Sequence, residues 1–304
     1  MAGPDGRATA ALALVVNAFV WGVSWWPFRH LHQHGLHPLW ATAAIYVLSL
    51  AVLLALWPRA WRGAAGQPQL WLLLVAAGLT NVGFNWAVTV GDVVRVVLLF
   101  YLMPAWSVLL AWPLLGERPT PAALLRLGVA LAGVVTILQT PGTPWPVPES
   151  LADLLALLGG FSFALTNILL RRLQAAPAVT RVATMFAGGA LAAGGAALVG
   201  LAQGTVAAPA ALPLPALGVG LLLSLGFLVG NAALQYGASR LPAQTTALVM
   251  LSEVLFASAT SVAAGAAELA ARTWTGGALI LAAAAWSAWA APGPARPARA
   301  QSAA

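Results

Sequence analysis

Long apolar stretches alternate with short polar breaks along the whole chain. The apolar segments fall near 10–29, 38–57, 69–90, 93–115, 121–139, 151–170, 181–202, 214–236, 243–265 and 273–291. Each holds roughly 20 residues, the length a helix needs to cross the hydrocarbon core. The breaks are rich in Pro, Gly and polar residues, which end helices. They include HLHQHGLHP (30–38), PRAWRGAAGQPQ (58–69), GERPTP (116–121) and TPGTPWPVPES (140–150). The pattern predicts an all-α integral membrane protein with ten transmembrane helices.

Two of these segments end alike. NVGFNWAVTVG (81–91) and FLVGNAALQYG (227–237) share Asn85/Asn231, Ala87/Ala233 and Gly91/Gly237 at identical spacing. The match predicts one unit written twice, with residues 1–140 as a first five-helix repeat and 141–291 as a second. Five is odd, so the second copy enters the membrane from the opposite side. The expected architecture is therefore two inverted five-helix repeats, an arrangement suited to alternating access. The Pro- and Arg-rich tail 292–304 reads as a disordered cytoplasmic segment.

Composition agrees with this reading. Of 304 residues, 61% are hydrophobic and 7% charged, too few charges to cover a soluble surface. All 14 basic residues are Arg. Scattered singly or in pairs between apolar runs, they act as orientation signals and argue against nucleic-acid binding. With the N-terminus cytoplasmic, 11 of them lie inside, and 3 (Arg29, Arg95 and Arg272) lie outside. Both termini are then cytoplasmic. The Arg, Ala and Gly bias suggests a bacterium and hence its inner membrane. The first apolar run is longer than a signal-peptide core and reads as a spanning helix. Cysteine is absent, which removes disulfide and thiol chemistry.

The stretch FYLMPAWSVLLAWPLLGERPTPAALLRLGVALAGVVTIL (100–138) resembles the end of an EamA domain, a branch of the drug/metabolite transporter superfamily. Its marks are an apolar helix with a Pro, then Gly-Glu-Arg-Pro, then a Gly-containing apolar helix. Trp21-Gly22 with Ser24 is similar to the start of such a domain. The second copy keeps acids at Glu253 and Glu268, with Val254 where the family often has Pro. The resemblance implies ten helices and export of small metabolites or drugs. It leaves the substrate open, because a fold does not carry a substrate with it.

Candidate chemistry is sparse. Glu253 lies near the middle of the ninth segment, where an acid costs roughly 2.5–3.5 kcal/mol on insertion scales. It is a candidate proton carrier or partner for a substrate amine, or else a neutral hydrogen-bonding group. Asp92 and Arg95, at i and i+3, are expected to pair on one helix face. Arg95 then binds substrate or sits in an interfacial ion pair. Asn85, Asn231 and Gln235 can bond substrate or join helices, the last two sharing a face; Asn17 and Asn167 pose the same choice. Pro104 is expected mid-helix as a kink or gate that frees the Phe100 carbonyl. Trp21 and Trp25 at i and i+4, with Tyr101, can wall a cavity or pack. Trp57, Trp61, Trp71, Trp274, Trp286 and Trp289 read as an interfacial belt. His30, His32, His34 and His37 crowd one outer loop, but their spacing does not specify a metal site. Gly188, Gly189, Gly194 and Gly195 smooth the seventh segment for close packing or a homodimer.

The functional expectation is a secondary-active exporter of small organic metabolites, amino-acid-like or drug-like, working by alternating access. Its partners are a small-molecule substrate, the bilayer and, as candidates, protons. No cofactor is expected, and without a Walker A motif ATP does not drive transport directly. The alternatives are a passive facilitator of the same fold, a metal-ion transporter, or an intramembrane enzyme. The last lacks G-x-S-x-G, H-E-x-x-H and any intramembrane His.

Overall fold

In a computed structural model the chain is all helix. The structure describes residues 4–60, 67–116, 118–139, 147–209, 211–238, 240–241, 249–267 and 270–290. Glu117, Trp61, Glu268 and the tail 292–304 lie outside the described residues. The helices are α1 (Pro4–Val23), α2 (Trp25–Gln33), α3 (Pro38–Leu56), α4 (Pro68–Val90), α5 (Val93–Phe100), α6 (Met103–Leu115), α7 (Pro121–Leu138), α8 (Leu151–Arg172), α9 (Ala178–Ala202), α10 (Leu214–Ala238), α11 (Ser252–Ala263) and α12 (Ala271–Ala290). The starts are marked as chemistry predicts. Pro38, Pro68 and Pro121 stand in first turns, where a missing N–H costs nothing. Ser150 and Thr120 cap α8 and α7 with their hydroxyls.

Two predicted spans are broken rods. α1 and α2 form the first, interrupted at Ser24, whose hydroxyl turns back to the Trp21 carbonyl at 2.8 Å. α5 and α6 form the fourth, interrupted at Tyr101 and Leu102. Pro104 therefore stands in the first turn of α6 rather than mid-helix. The helix divides before the proline, so the proline's backbone constraint is absorbed at a helix start. The ninth segment is also interrupted, with a turn at Leu251 ahead of α11. Eight stretches among the described residues are long and apolar enough to cross a membrane. The chain is a multi-pass membrane protein.

Polarity is arranged for lipid. Leu12, Phe19, Val47, Leu191, Leu222 and Leu255 are exposed, whereas Asn17, Thr42, Asn85, Asp153, Thr166 and Glu253 are buried. Apolar contact with lipid gives the helices no hydrophobic reason to associate. Close packing and hydrogen bonds must do it. A Cβ added at Gly188 would lie 2.1 Å from the Leu74 carbonyl, and one at Gly78 2.6 Å from the Gly188 carbonyl. Gly189 lies against the Tyr46 ring, while Gly195 faces open space.

The principal contacts survive exchange of the nth span for the (n+5)th. α4 packs on α8 as α10 packs on α1, and α4 on α9 as α10 on α3. The broken fourth span (α5 and α6) packs on α8 as α11 packs on α1. α7 with α12, α3 with α9, and α5 with α11 map onto themselves. The duplicated glycines obey the same rule. A Cβ at Gly91 would meet Ala152 at 2.5 Å, at the start of α8, and one at Gly237 would meet Leu14 at 2.5 Å, in the middle of α1.

Candidate functional site

Three polar clusters join the first half of the chain to the second. The first lies where two interrupted helices cross. Tyr101, in the break between α5 and α6, donates its hydroxyl to the Met250 carbonyl and to Glu253 Oε2, both at 3.1 Å. One proton serves both acceptors. The Met250 carbonyl is available because the Val254 N–H bonds Leu251 instead, at 3.1 Å. Tyr101 and Glu253 are both buried. The two halves thus touch, break to break, through a phenol and a carboxyl. Below Tyr101 the backbone is tightly held: a Cβ at Gly160 of α8 would lie 2.5 Å from the Phe100 carbonyl. The Phe100 carbonyl, left at the end of α5, therefore packs on a neighbouring helix.

Trp21 lies close to this crossing. Its ring stacks on Phe227 at 4.5 Å and meets Phe84 edge-on at 6.1 Å. Trp25, one turn on, donates its indole N–H to Thr260 at 3.0 Å. The two tryptophans pack against opposite repeat elements, α10 and α11.

The amides divide. Asn85 is fully buried, and its Nδ2 reaches Thr42 at 3.4 Å, while its Oδ1 has no hydrogen-bond partner. Asn231 is half-buried and bonds the Phe227 carbonyl of its own helix at 3.0 Å. Gln235 and Asn167 are exposed. Asn17, buried, reaches the Met250 sulfur at 3.4 Å, and its Oδ1 lacks a partner. Asn17 and Asn85 each hold a buried amide oxygen without a donor. Such orphans call for a donor.

The second cluster lies at the end of the bundle where α4 finishes and α5 and α8 begin. Arg95 does not pair with Asp92 on its own helix. Asp92 instead caps α5, accepting from the Arg95 backbone N–H at 2.8 Å. The Arg95 guanidinium crosses to α8 and grips Asp153 with both edges, Nε to Oδ1 at 2.7 Å and a terminal nitrogen to Oδ2 at 2.9 Å. A third donor reaches the Ile137 carbonyl at the end of α7 at 2.8 Å. Sequence reasoning missed Asp153 because it follows the cap Ser150 by three residues, and an acid there is accounted for by helix capping alone.

The third cluster is centred on Arg29. It donates to the Val88 carbonyl at 3.0 Å, the Gly91 carbonyl, and the Ala266 carbonyl at 3.1 Å. Its guanidinium also lies 5.5 Å over the Trp25 ring. Nearby, His37 accepts the Leu39 N–H at 3.3 Å as the cap of α3. Burial, with His32 adding to it, holds His37 below the usual histidine range. His34 contacts the His30 carbonyl at 2.8 Å, so both of these histidines are engaged locally. Among the described residues no group of three or more His, Asp or Glu is placed to hold a metal ion.

Comparison with known proteins follows the same outline. A model of the EamA-like transporter family matches residues 8–139, the first predicted repeat. An uncharacterized transporter of Pseudomonas aeruginosa is 34% identical over 102 residues, 31% of this chain. The alignment spans 34% of that relative's length, about a third. A protein known from a crystal structure, 22% identical, shares the fold with a TM-score of 0.57 over 92% of this chain and 96% of its own. Residues 8–139 thus match the EamA-like transporter family, and the all-helical fold extends beyond them.

Proposed function

We propose that this chain is a secondary-active exporter of small organic metabolites, amino-acid-like or drug-like, in a bacterial inner membrane with both termini cytoplasmic. Residues 1–140 and 141–291 form the two halves that exchange conformations. The observation that carries the reading is the Tyr101–Glu253 contact, where the break in the fourth span meets the break in the ninth. Interrupted helices expose backbone groups only where protein or a cavity satisfies them. Two of them meeting at a buried acid make a hinge with a titratable centre. Asn17 lies beside this crossing through Met250, and with Asn85 and Trp21 it offers acceptors and an aromatic wall to a solute. On this orientation the Arg29 and Arg95 clusters lie at the outer face. Each ties the first half to the second, which supports reading this end as a closed outer gate.

Metabolite profiling of medium from cells with and without the protein names the exported solute. Its transport is then measured in proteoliposomes across an imposed pH gradient. The proposal expects Glu253→Gln to abolish gradient-driven accumulation while leaving counterflow. Unchanged gradient-driven export in that variant removes Glu253 as the coupling group.

A further inference from the structure

Arg29 is charged, yet the hydrogen bonds it makes all go to neutral carbonyls; Trp25 offers it an aromatic face, and Asp92 acts on it through space. Among the described residues it makes no salt bridge, in contrast to Arg95. It lines an open vestibule of about 500 Å³, together with His32, Gln33, Thr89, Asp92 and Ala266. Arg29, His32 and Gln33 follow at i, i+3 and i+4, so one face of α2 presents three donor-bearing side chains to this space. A guanidinium offers five N–H donors in a planar fork that matches a carboxylate. Three bonds to carbonyls leave two donors over. Hydrogen bonds to an ionised acceptor are roughly twice as strong as those to a neutral one.

The Arg29 bonds also cross the molecule. Val88 and Gly91 close α4 in the first half, and Ala266 follows α11 in the second. Whatever draws the guanidinium away from Ala266 removes one of the ties between the two halves at this end, the Arg95–Asp153 pair being the other.

We infer that the vestibule is a carboxylate site and that Arg29 is its displaceable latch. A solute carboxylate takes the fork of Arg29, the Ala266 carbonyl is released, and the end of α4 parts from the segment after α11. The site thereby selects anionic solutes on their way out at this end and couples their binding to its loosening. The inference uses the transport reading only for where the vestibule leads; binding and unlatching are measured without transport.

The chain has no cysteine, so Thr89→Cys, buried in the vestibule wall, gives a unique thiol. The full-length variant is purified in detergent and its maleimide labelling rate followed. Benzoate is added, or uncharged benzamide, or sulfate at equal ionic strength. The same series is run with Glu268→Gln, since Glu268 follows Ala266 by two residues and is a carboxylate of the chain itself. Benzoate is expected to accelerate labelling at least fivefold in one or both backgrounds, and benzamide and sulfate less than twofold. Arg29→Gln labels fast without ligand and ignores benzoate. Arg29→Lys, which keeps the charge but not the fork, responds weakly and keeps the test valid if the Gln variant does not fold. Equal effects of benzoate and benzamide, or of benzoate and sulfate, overturn the carboxylate assignment. No benzoate effect in either background, or slow labelling in Arg29→Gln, overturns the latch. Export that fails while benzoate still speeds labelling sinks the transport reading and leaves the site standing.

Discussion

Asp153→Asn tests how the halves are held at the α4 end. The substitution keeps shape and removes charge. Asp153 is 2% exposed and Arg95 16% at the side chain, so the pair is largely withdrawn from solvent. The wild-type carboxylate takes two charged bonds from Arg95 and one from the Glu149 N–H at 3.1 Å. In the amide, one oxygen still accepts, but the NH2 group faces a guanidinium donor. One bond is lost, a donor–donor contact appears, and the cation is left without a counter-charge. Removing one partner of a buried pair costs about 3–5 kcal/mol. The Ile137 carbonyl still serves Arg95, and the guanidinium retains some contact with solvent, so about 3 kcal/mol is expected, the lower end of that range. For a chain of this size that is a fall of roughly 6–12 °C in Tm. Thermal unfolding in detergent, followed by the fluorescence of the 14 tryptophans, reads it directly. Arg95→Gln and the double variant complete a cycle. The reasoning fails if Asp153→Asn costs under about 1 kcal/mol, or if the two losses simply add, since contacting residues should couple.

Other outcomes follow from neighbouring features. Tyr101→Phe removes the hydrogen bonds to Met250 and Glu253 at little cost in volume; Tm should fall by only about 2–4 °C, for roughly 1 kcal/mol, while export drops severalfold in the proteoliposome assay. Gly188→Ala must push α9 from α4 and should lower stability by about 1–3 kcal/mol, whereas Gly195→Ala, in open space, should be neutral in the same melt. His37 caps α3 as the neutral ring, and its depressed pKa means that the folded state resists protonation. Its stabilising contribution is full above the unfolded value near 6.5 and is lost as pH falls through the lower folded value. His37→Asn keeps a capping side chain without a titration, so its Tm should depend less on pH between about 7.5 and about 5.

Much of the architecture was legible because a membrane imposes it. Apolar length is a one-dimensional signal, and eight stretches among the described residues are long and apolar enough to cross a membrane. Tyr101 and Glu253 could be named singly but not as a pair, since 152 positions separate them and only the crossing of two breaks joins them. Asp153 was hidden by a sufficient local role beside Ser150. Arg29 was hidden by the opposite fault: an arginine at a helix end already has a meaning as a topological signal, so its three carbonyl partners had no trace in the sequence. Pro104 was misplaced because periodicity continues across the break that precedes it, and only the turn at Tyr101 and Leu102 reveals two helices.

The packing of α7 on α12 has a meaning beyond closeness. A Cβ at Gly133 would lie 2.6 Å from the Gly276 carbonyl, and a Cβ at Gly276 would lie 2.5 Å from the Gly133 carbonyl. Each glycine makes room for the other's backbone, with Ile280 and Ile137 exchanging the same courtesy. This is the isologous contact by which a symmetric dimer binds itself, here enclosed within a single polypeptide. Neither glycine can acquire a side chain without striking the unaltered partner. Two positions 143 residues apart are thus bound to one fate, as a single site would be in two copies of a shorter ancestor.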